Sequence, residues 1–283
     1  MNLVRNPNLK ALITIALIGI FGRTAVFGQI LRYPVSLPYI NLSAYSNAQQ
    51  DAFSFTTNQA ALATQKKKGA GVFSERRFML AALGAYRFAV ALPTPNGNFG
   101  LQLDYAGFKN FSEQKIGLAY ARTLGHVVDA GIQFNYYGYR IPAYNSASTV
   151  NVEAGAIFHF TEKLNGGLHV YNLFGTSLGK STGEKLASSF SMGFGYDASS
   201  DFFAGVEIIK QEDKAVNLLA GIQYHFDKIF FARLGIESET GTVYGGAGVG
   251  WKNLRLDLSA SYHPQLGLTP GILLMTEFQT PKK

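Results

Sequence analysis

The sequence has no cysteine. That excludes a disulfide framework and thiol chemistry. It is also poor in charge: Asp, Glu, Lys and Arg make up 15% of its 283 residues, against about a quarter in a typical soluble domain. After Gly69 there is no apolar run near the roughly 20 residues that a membrane helix needs. There is no sustained 3.6-residue periodicity there either, so a helical bundle is excluded for that region. Nor does any basic tract point to nucleic acid. Lys66, Lys67 and Lys68 form the one basic run. It reads as a solvated turn, or as contact with anionic headgroups at the start of a membrane strand.

What is abundant is glycine, with 31 residues, and aromatics, with 22 Phe and 15 Tyr. Few charges, many glycines and many aromatics suit a β protein whose outside meets lipid better than a soluble enzyme. The N-terminus reads as an export signal over residues 1–28. Arg5 and Lys10 give a basic start, Ala11 to Gly22 is apolar but short, and Val26 and Gly28 place a cut before Gln29. Removing that segment takes away Arg5, Lys10 and Arg23 and no acid, so the net charge falls from +7 to about +4.

From Lys68 onward, short alternating segments follow one another. Phe99, Leu101, Leu103 and Tyr105 share one face, and Gly100, Gln102 and Asp104 the other. Val150, Val152, Ala154, Ala156 and Phe158 stand opposite Asn151, Glu153 and His159. Leu254, Leu256, Leu258 and Ala260 stand opposite Arg255, Asp257 and Ser259. About fourteen such strands are expected, with centres running from Val72 to Leu274, an even number as a bacterial outer-membrane barrel requires.

A soluble β-sandwich would carry the same alternation, and two features favour the barrel. Tight turns at Leu124-Gly125, Ser199-Ser200, Asp227-Lys228 and Lys252-Asn253 alternate with longer expected loops at Ile141 to Ser148, Thr176 to Leu186 and His263 to Pro270. Aromatics also recur where the even strands end: Tyr120, Phe160, Tyr196, Phe226, Trp251 and Phe278. They are expected to form one interfacial girdle on the periplasmic side, with Tyr105, Tyr136 and Tyr262 in the opposite one. The apolar face then looks out at lipid. The lumen is lined by Asp104, Asp129, Glu153, His159, His169, Glu207, Arg233, Arg255 and Asp257. Mixed signs more often pair than select ions.

Ahead of the strands lies DAFSFTTNQAALA, Asp51 to Ala63. Asn58 is a good N-cap for the helix formers that follow, and Asp51 could cap a short helix through Ala52 to Thr56. A wide barrel leaves a lumen unless something fills it, so residues 29–67 are expected to be a plug before a barrel of residues 68–283. Asp51-Ala52, then Asn58-Gln59-Ala60-Ala61-Leu62, resembles the D-A-x-x-x-x-x-N-P-A-x-L signature of FadL-type fatty-acid channels. Their relatives in type IX secretion, PorV and PorQ, carry it too. The resemblance implies a fourteen-strand barrel with an N-terminal hatch inside it. Gln59 stands where the family has proline, which keeps the helix possible but leaves it less rigid.

No candidate chemistry stands out. His159, His169 and Glu153 share the lumen face, but no HxxxH or HExxH spacing supports a metal. A hydrolase would need Ser, His and an acid in one constellation, and Ser188, Ser189 and Ser191 have no obvious partner. The sequence is therefore read as a non-enzymatic outer-membrane barrel without cofactor or metal, in contact with outer-membrane lipids. Short loops and mixed lumen charge favour an accessory role with exported proteins or secretion components. The alternative is a passive channel for hydrophobic ligands such as fatty acids.

Overall fold

The computed structural model describes residues 42–142, 145–178, 186–212, 214–227 and 229–278. The expected export signal, and the expected plug as far as residue 41, lie outside the described residues. Fourteen antiparallel strands close into one barrel. They are β1 (Lys68–Arg76), β2 (Gly84–Leu92), β3 (Asn98–Phe108), β4 (Phe111–Leu124), β5 (Val128–Ile141), β6 (Asn145–His159) and β7 (Leu164–Tyr171), followed by β8 (Ser189–Asp197), β9 (Phe202–Gln211), β10 (Val216–His225), β11 (Phe230–Glu237), β12 (Thr242–Trp251), β13 (Leu254–His263) and β14 (Gly267–Phe278). Every centre expected from alternation falls inside one of them.

Each strand pairs with its sequence neighbours, and β1 closes the ring on β14 through Val72↔Leu274. Closure leaves no sheet edge exposed to lipid, where an unpaired backbone group would cost several kcal/mol. Within every ladder the register runs without a bulge. Alternation is therefore kept from one strand to the next. Leu103, Leu118, Phe134, Leu234 and Leu258 are exposed on the outside, while Gln102, Asp104, Gln133, Glu153 and Asp257 are buried on the inside.

The start of β1 and the end of β14 share one end of the barrel, here the terminal end. Phe160, Tyr196, Phe226, Trp251 and Phe278 are exposed around its rim, with Trp251 69% accessible. Tyr120 sits lower and is half-buried: its ring packs 5.2 Å from Phe99 and its hydroxyl donates to the Asn96 carbonyl at 2.7 Å. At the opposite, loop end, Tyr105, Tyr136 and Tyr262 are exposed.

The contrast in loop length is weaker than expected. Ile141 to Ser148 is mostly strand, because β5 runs to Ile141 and β6 begins at Asn145. His263 to Pro270 is mostly strand too, with only residues 264–266 between β13 and β14. The 14-residue β4 and β5 and the 15-residue β6 continue as one ladder past the girdle. Alternation persists there with polar residues facing out, which reads as loop when polarity alone is weighed. Only residues 77–83 and 172–188 form long connections at the loop end.

Candidate functional site

Residues 42–65 lie inside the barrel near its terminal end. Leu42, Tyr45, Phe53, Phe55, Ala60 and Leu62 are almost wholly buried. The segment turns in three single 3-10 turns, Ser43–Tyr45, Ser54–Thr56 and Gln59–Leu62. The helix expected through Ala52 to Thr56 is thus only its last turn. Asp51 Oδ1 accepts from the Phe53 N–H at 2.8 Å. Asn58 is the N-cap of the third turn, accepting from the Ala60 N–H at 3.1 Å. The compact path lets the chain reverse direction inside the bore.

The wall makes room for this segment with inward glycines, as a strand glycine does where another backbone comes close. A Cβ at Gly100 would lie 2.8 Å from Phe55, and one at Gly71 would lie 2.7 Å from Phe53. At Gly193 it would enter the Tyr45 ring, and at Gly131 the Gln59 backbone.

Polar anchors then fix the segment. Asn58 Nδ2 donates to the Leu168 carbonyl at 3.1 Å, reaching the β6–β7 wall. Gln59 Nε2 donates to Glu153 Oε2 at 2.7 Å. Asp51 Oδ2 meets Arg255 at 2.8 Å. The Tyr45 hydroxyl donates to Glu207 at 2.7 Å. Burial, with the Glu207 charge beside it, holds that hydroxyl well above its ordinary pKa of 10.0, so it remains a donor. Ser46 and the Asn47 N–H close on Asp197 at 2.6 and 2.7 Å.

These anchors end on a connected lining. Arg87 holds Asp104 through two hydrogen bonds, of 2.7 and 3.0 Å. Gln102, Gln133 and Asn135 carry the chain of bonds on to Glu153. Glu153 also takes Lys115 at 3.1 Å and His169 at 3.3 Å. On the other side Arg233 and Arg255 share Asp257 at 3.1 and 2.8 Å and stack over Phe231. Buried charges are tolerable in such a bore because each is paired and hydrogen-bonded.

All nine lumen residues named from the sequence face inward. The structure divides them rather than gathering one site. His169 joins Glu153, whereas His159 bonds Asp129 and Asn165, both at 2.8 Å. Among the described residues no group of His, Asp and Glu is arranged to hold a metal. Gly175 to Gly179 and Gly179 to Gly183 both have G-x-S-x-G spacing. The first begins in the connection after β7, where residues 175–178 form no strand–turn–helix elbow of the kind that makes such a serine a nucleophile, and the second lies outside the described residues. Lys67 pairs with Glu277 at 2.6 Å at the rim, so this part of the basic run is spent on the barrel's own closing strand.

Sequence reasoning missed Tyr45, Ser46, Phe53 and Phe55, which do much of the packing and anchoring. Their signal lay elsewhere in the chain, in the inward glycines opposite them. Nearer the loop end apolar clusters sit among buried polar residues such as Glu75, Glu113, Asn217 and Thr269. Tyr137, Leu178 and Leu186 are buried together, with Tyr139 and Tyr171 against them. A second buried cluster runs from Phe53 and Phe55 through Phe73 and Leu273 to Tyr244, Leu219 and Ile209.

No protein-family model matches the chain, and no curated protein matches it. Solved structures do share its fold. The toluene transporter TodX of P. putida superposes with a TM-score of 0.63 at 9% identity, covering 89% of this chain and 100% of that one. The CymD monoaromatic hydrocarbon channel gives 0.60 at 10% identity, over 85% and 98%. A Pseudomonas aeruginosa FadL homologue gives 0.58 at 10% identity, over 83% and 96%. Identities this low establish a common barrel architecture.

Proposed function

We propose that this chain is a passive, non-enzymatic outer-membrane channel for small hydrophobic molecules. One observation carries the reading: the apolar cluster that continues from Phe53 of the inner segment to Ile209 near the loop end. A bore serving hydrophilic solutes is polar and water-filled. This one carries a continuous packed apolar stripe within its polar lining, and an apolar molecule that parts those side chains would be removed from water at roughly 25 cal/mol per Å² buried. The similar folds that are named for toluene and monoaromatic hydrocarbons point to ligands of about that size.

The accessory reading leaned on mixed lumen charge and short loops. The charges hold the inner segment to the wall, so they bear on how the bore is filled and not on what enters it. The short loops alone still favour an exported-protein partner. The same reading has residues 1–28 removed on export, so intact mass of the barrel from its own membrane should begin at Gln29.

Purification in detergent, with analysis of everything that comes along, tests the function. We expect the barrel to bind toluene saturably and to speed its entry into liposomes. A stoichiometric exported protein, with no toluene binding, overturns the channel.

A further inference from the structure

On the outer wall, the ladder of β3–β6 rises above the loop-end girdle and carries a hollow of about 460 Å³. Register places the outward residues in rows. At its lower edge Tyr136, which lines the hollow, lies side by side with Leu103, Ile116 and Val150 of the wall below. One step up come Tyr105, Gln114, Gly138 and Ser148, and above them Ser112, Arg140 and Ser146. The rows therefore change from apolar to aromatic and amide to hydroxyl and guanidinium. This is the gradient a bilayer presents from acyl chain to headgroup.

Three features make it a site rather than a polar rim. Arg140 is exposed, and among the described residues its side chain has no hydrogen-bond or ion-pair partner. None of the residues lining the hollow is acidic, and Ser112, Gln114, Ser146 and Ser148 add donors around the guanidinium. Gly138 has no side chain to occupy the middle, and a Cβ there would be in ordinary contact with the Ala147 carbonyl and the Ser148 side chain at 3.5 Å and the Tyr136 hydroxyl at 3.6 Å. Arg140 lies four residues above Tyr136, about 13 Å along the strand at roughly 3.3 Å per residue. With strand tilt and a flexible stem, its guanidinium reaches the headgroup layer.

We propose that this hollow binds the phosphate of a phosphorylated outer-leaflet lipid. Arg140 receives the phosphate, Ser112, Ser146 and Ser148 donate to its oxygens, and the acyl chains descend along Ile116, Tyr136 and Val150. A guanidinium surrounded by hydroxyls and facing no carboxylate suits a phosphate, whose oxygens accept several charge-assisted bonds at once. The proposal rests on the barrel spanning a membrane, not on what its lumen carries.

The test is native mass spectrometry of the detergent-purified barrel, titrated with a lipid A-type phosphorylated lipid and, separately, with zwitterionic phosphatidylcholine. The wild type should retain the phosphorylated lipid preferentially. Arg140→Gln removes the charge, and Gly138→Val fills the hollow with a residue that suits a strand; each should weaken retention at least tenfold. Heat-modifiable migration on gels confirms that both variants fold, and toluene binding in the lumen should be unchanged in both. Retention equal to wild type in either folded variant overturns the site. So does full displacement of the lipid by millimolar inorganic phosphate, which would mean an anion site with no lipid specificity.

Discussion

Gln59→Pro is the most discriminating perturbation of the inner segment. It restores the residue that the D-A-x-x-x-x-x-N-P-A-x-L pattern carries, at the first position of the Gln59–Leu62 turn. The backbone accepts it: Asn58 is extended, at φ −138 and ψ 113, the conformation a residue before proline prefers. Proline would favour the segment by about 0.4–1 kcal/mol, by restricting the unfolded chain. Against this, the variant loses the 2.7 Å bond from Gln59 to the buried Glu153 carboxylate. A hydrogen bond to a charged group contributes about 1.5–3 kcal/mol. Glu153 keeps Lys115, His169 and Asn135, so the loss stays near the lower figure. The net effect is a loosening of roughly 0.5–1 kcal/mol, or about twofold to sixfold in the local opening equilibrium. Hydrogen exchange of amides 51–63 reads this directly, with amides of β4 and β5 as the internal reference. Faster exchange confined to the inner segment is expected. Slower or unchanged exchange would refute the claim that the side chain at this position, rather than the backbone preset, holds the segment.

Three further outcomes follow from the same geometry. Gly193→Leu drives a side chain into the Tyr45 ring; it should break the Tyr45–Glu207 bond and expose residues 42–50 to protease while the barrel still runs as a folded species, and continued protection would count against the seat. Arg255→Ala strips Asp51 of its partner and leaves Asp257 with Arg233 alone; the unfolding midpoint in lipid vesicles should fall by an amount equivalent to about 3–5 kcal/mol, and Arg255→Lys should recover only part, because one ammonium cannot span both carboxylates. On the outer wall, Leu258→Arg should destabilise by about 2–4 kcal/mol and Leu254→Arg at the rim by about 0–1; equal effects would contradict the placement of the bilayer around the wall.

The barrel was legible because its signal is local. A period of two, repeated over strands such as Phe99–Tyr105 and Leu254–Tyr262, fixes which side chains face out. Closure by β1 on β14 follows once an even set of strands must leave no open edge. The faces of Asp104, Glu153, Arg255 and Asp257 follow from the same alternation. Partners were not legible, because they depend on who meets across the bore: Gln59 finds Glu153 and Asp51 finds Arg255. The loops around Ile141 and His263 were misread for a local reason. Polar outward residues above the girdle keep the alternation of a strand while losing the hydrophobicity that marks one.

The glycines connect these levels. An empty barrel of this width would present Gly71, Gly100, Gly131 and Gly193 as bare backbone to a wide bore, with no side chains to pack there. Those residues make sense only with Phe53, Phe55, Gln59 and Tyr45 against them. Wall and inner segment are therefore one packing unit. Its anchors are spread around the ring: Asn58 on the β6–β7 wall, Gln59 on β6, Tyr45 on β9 and Asp51 on β13. Movement about any single anchor leaves the others bonded. A path past the segment thus requires either several of these bonds to break together or a local shift of one turn, and the second costs far less. The Gln59–Leu62 turn is held at both ends, by Asn58 and Gln59 on the β6–β7 side and by Asn98 Nδ2 donating to the Leu62 carbonyl at 2.7 Å, so tuning such a shift by sequence acts through Asn58, Gln59 and Asn98.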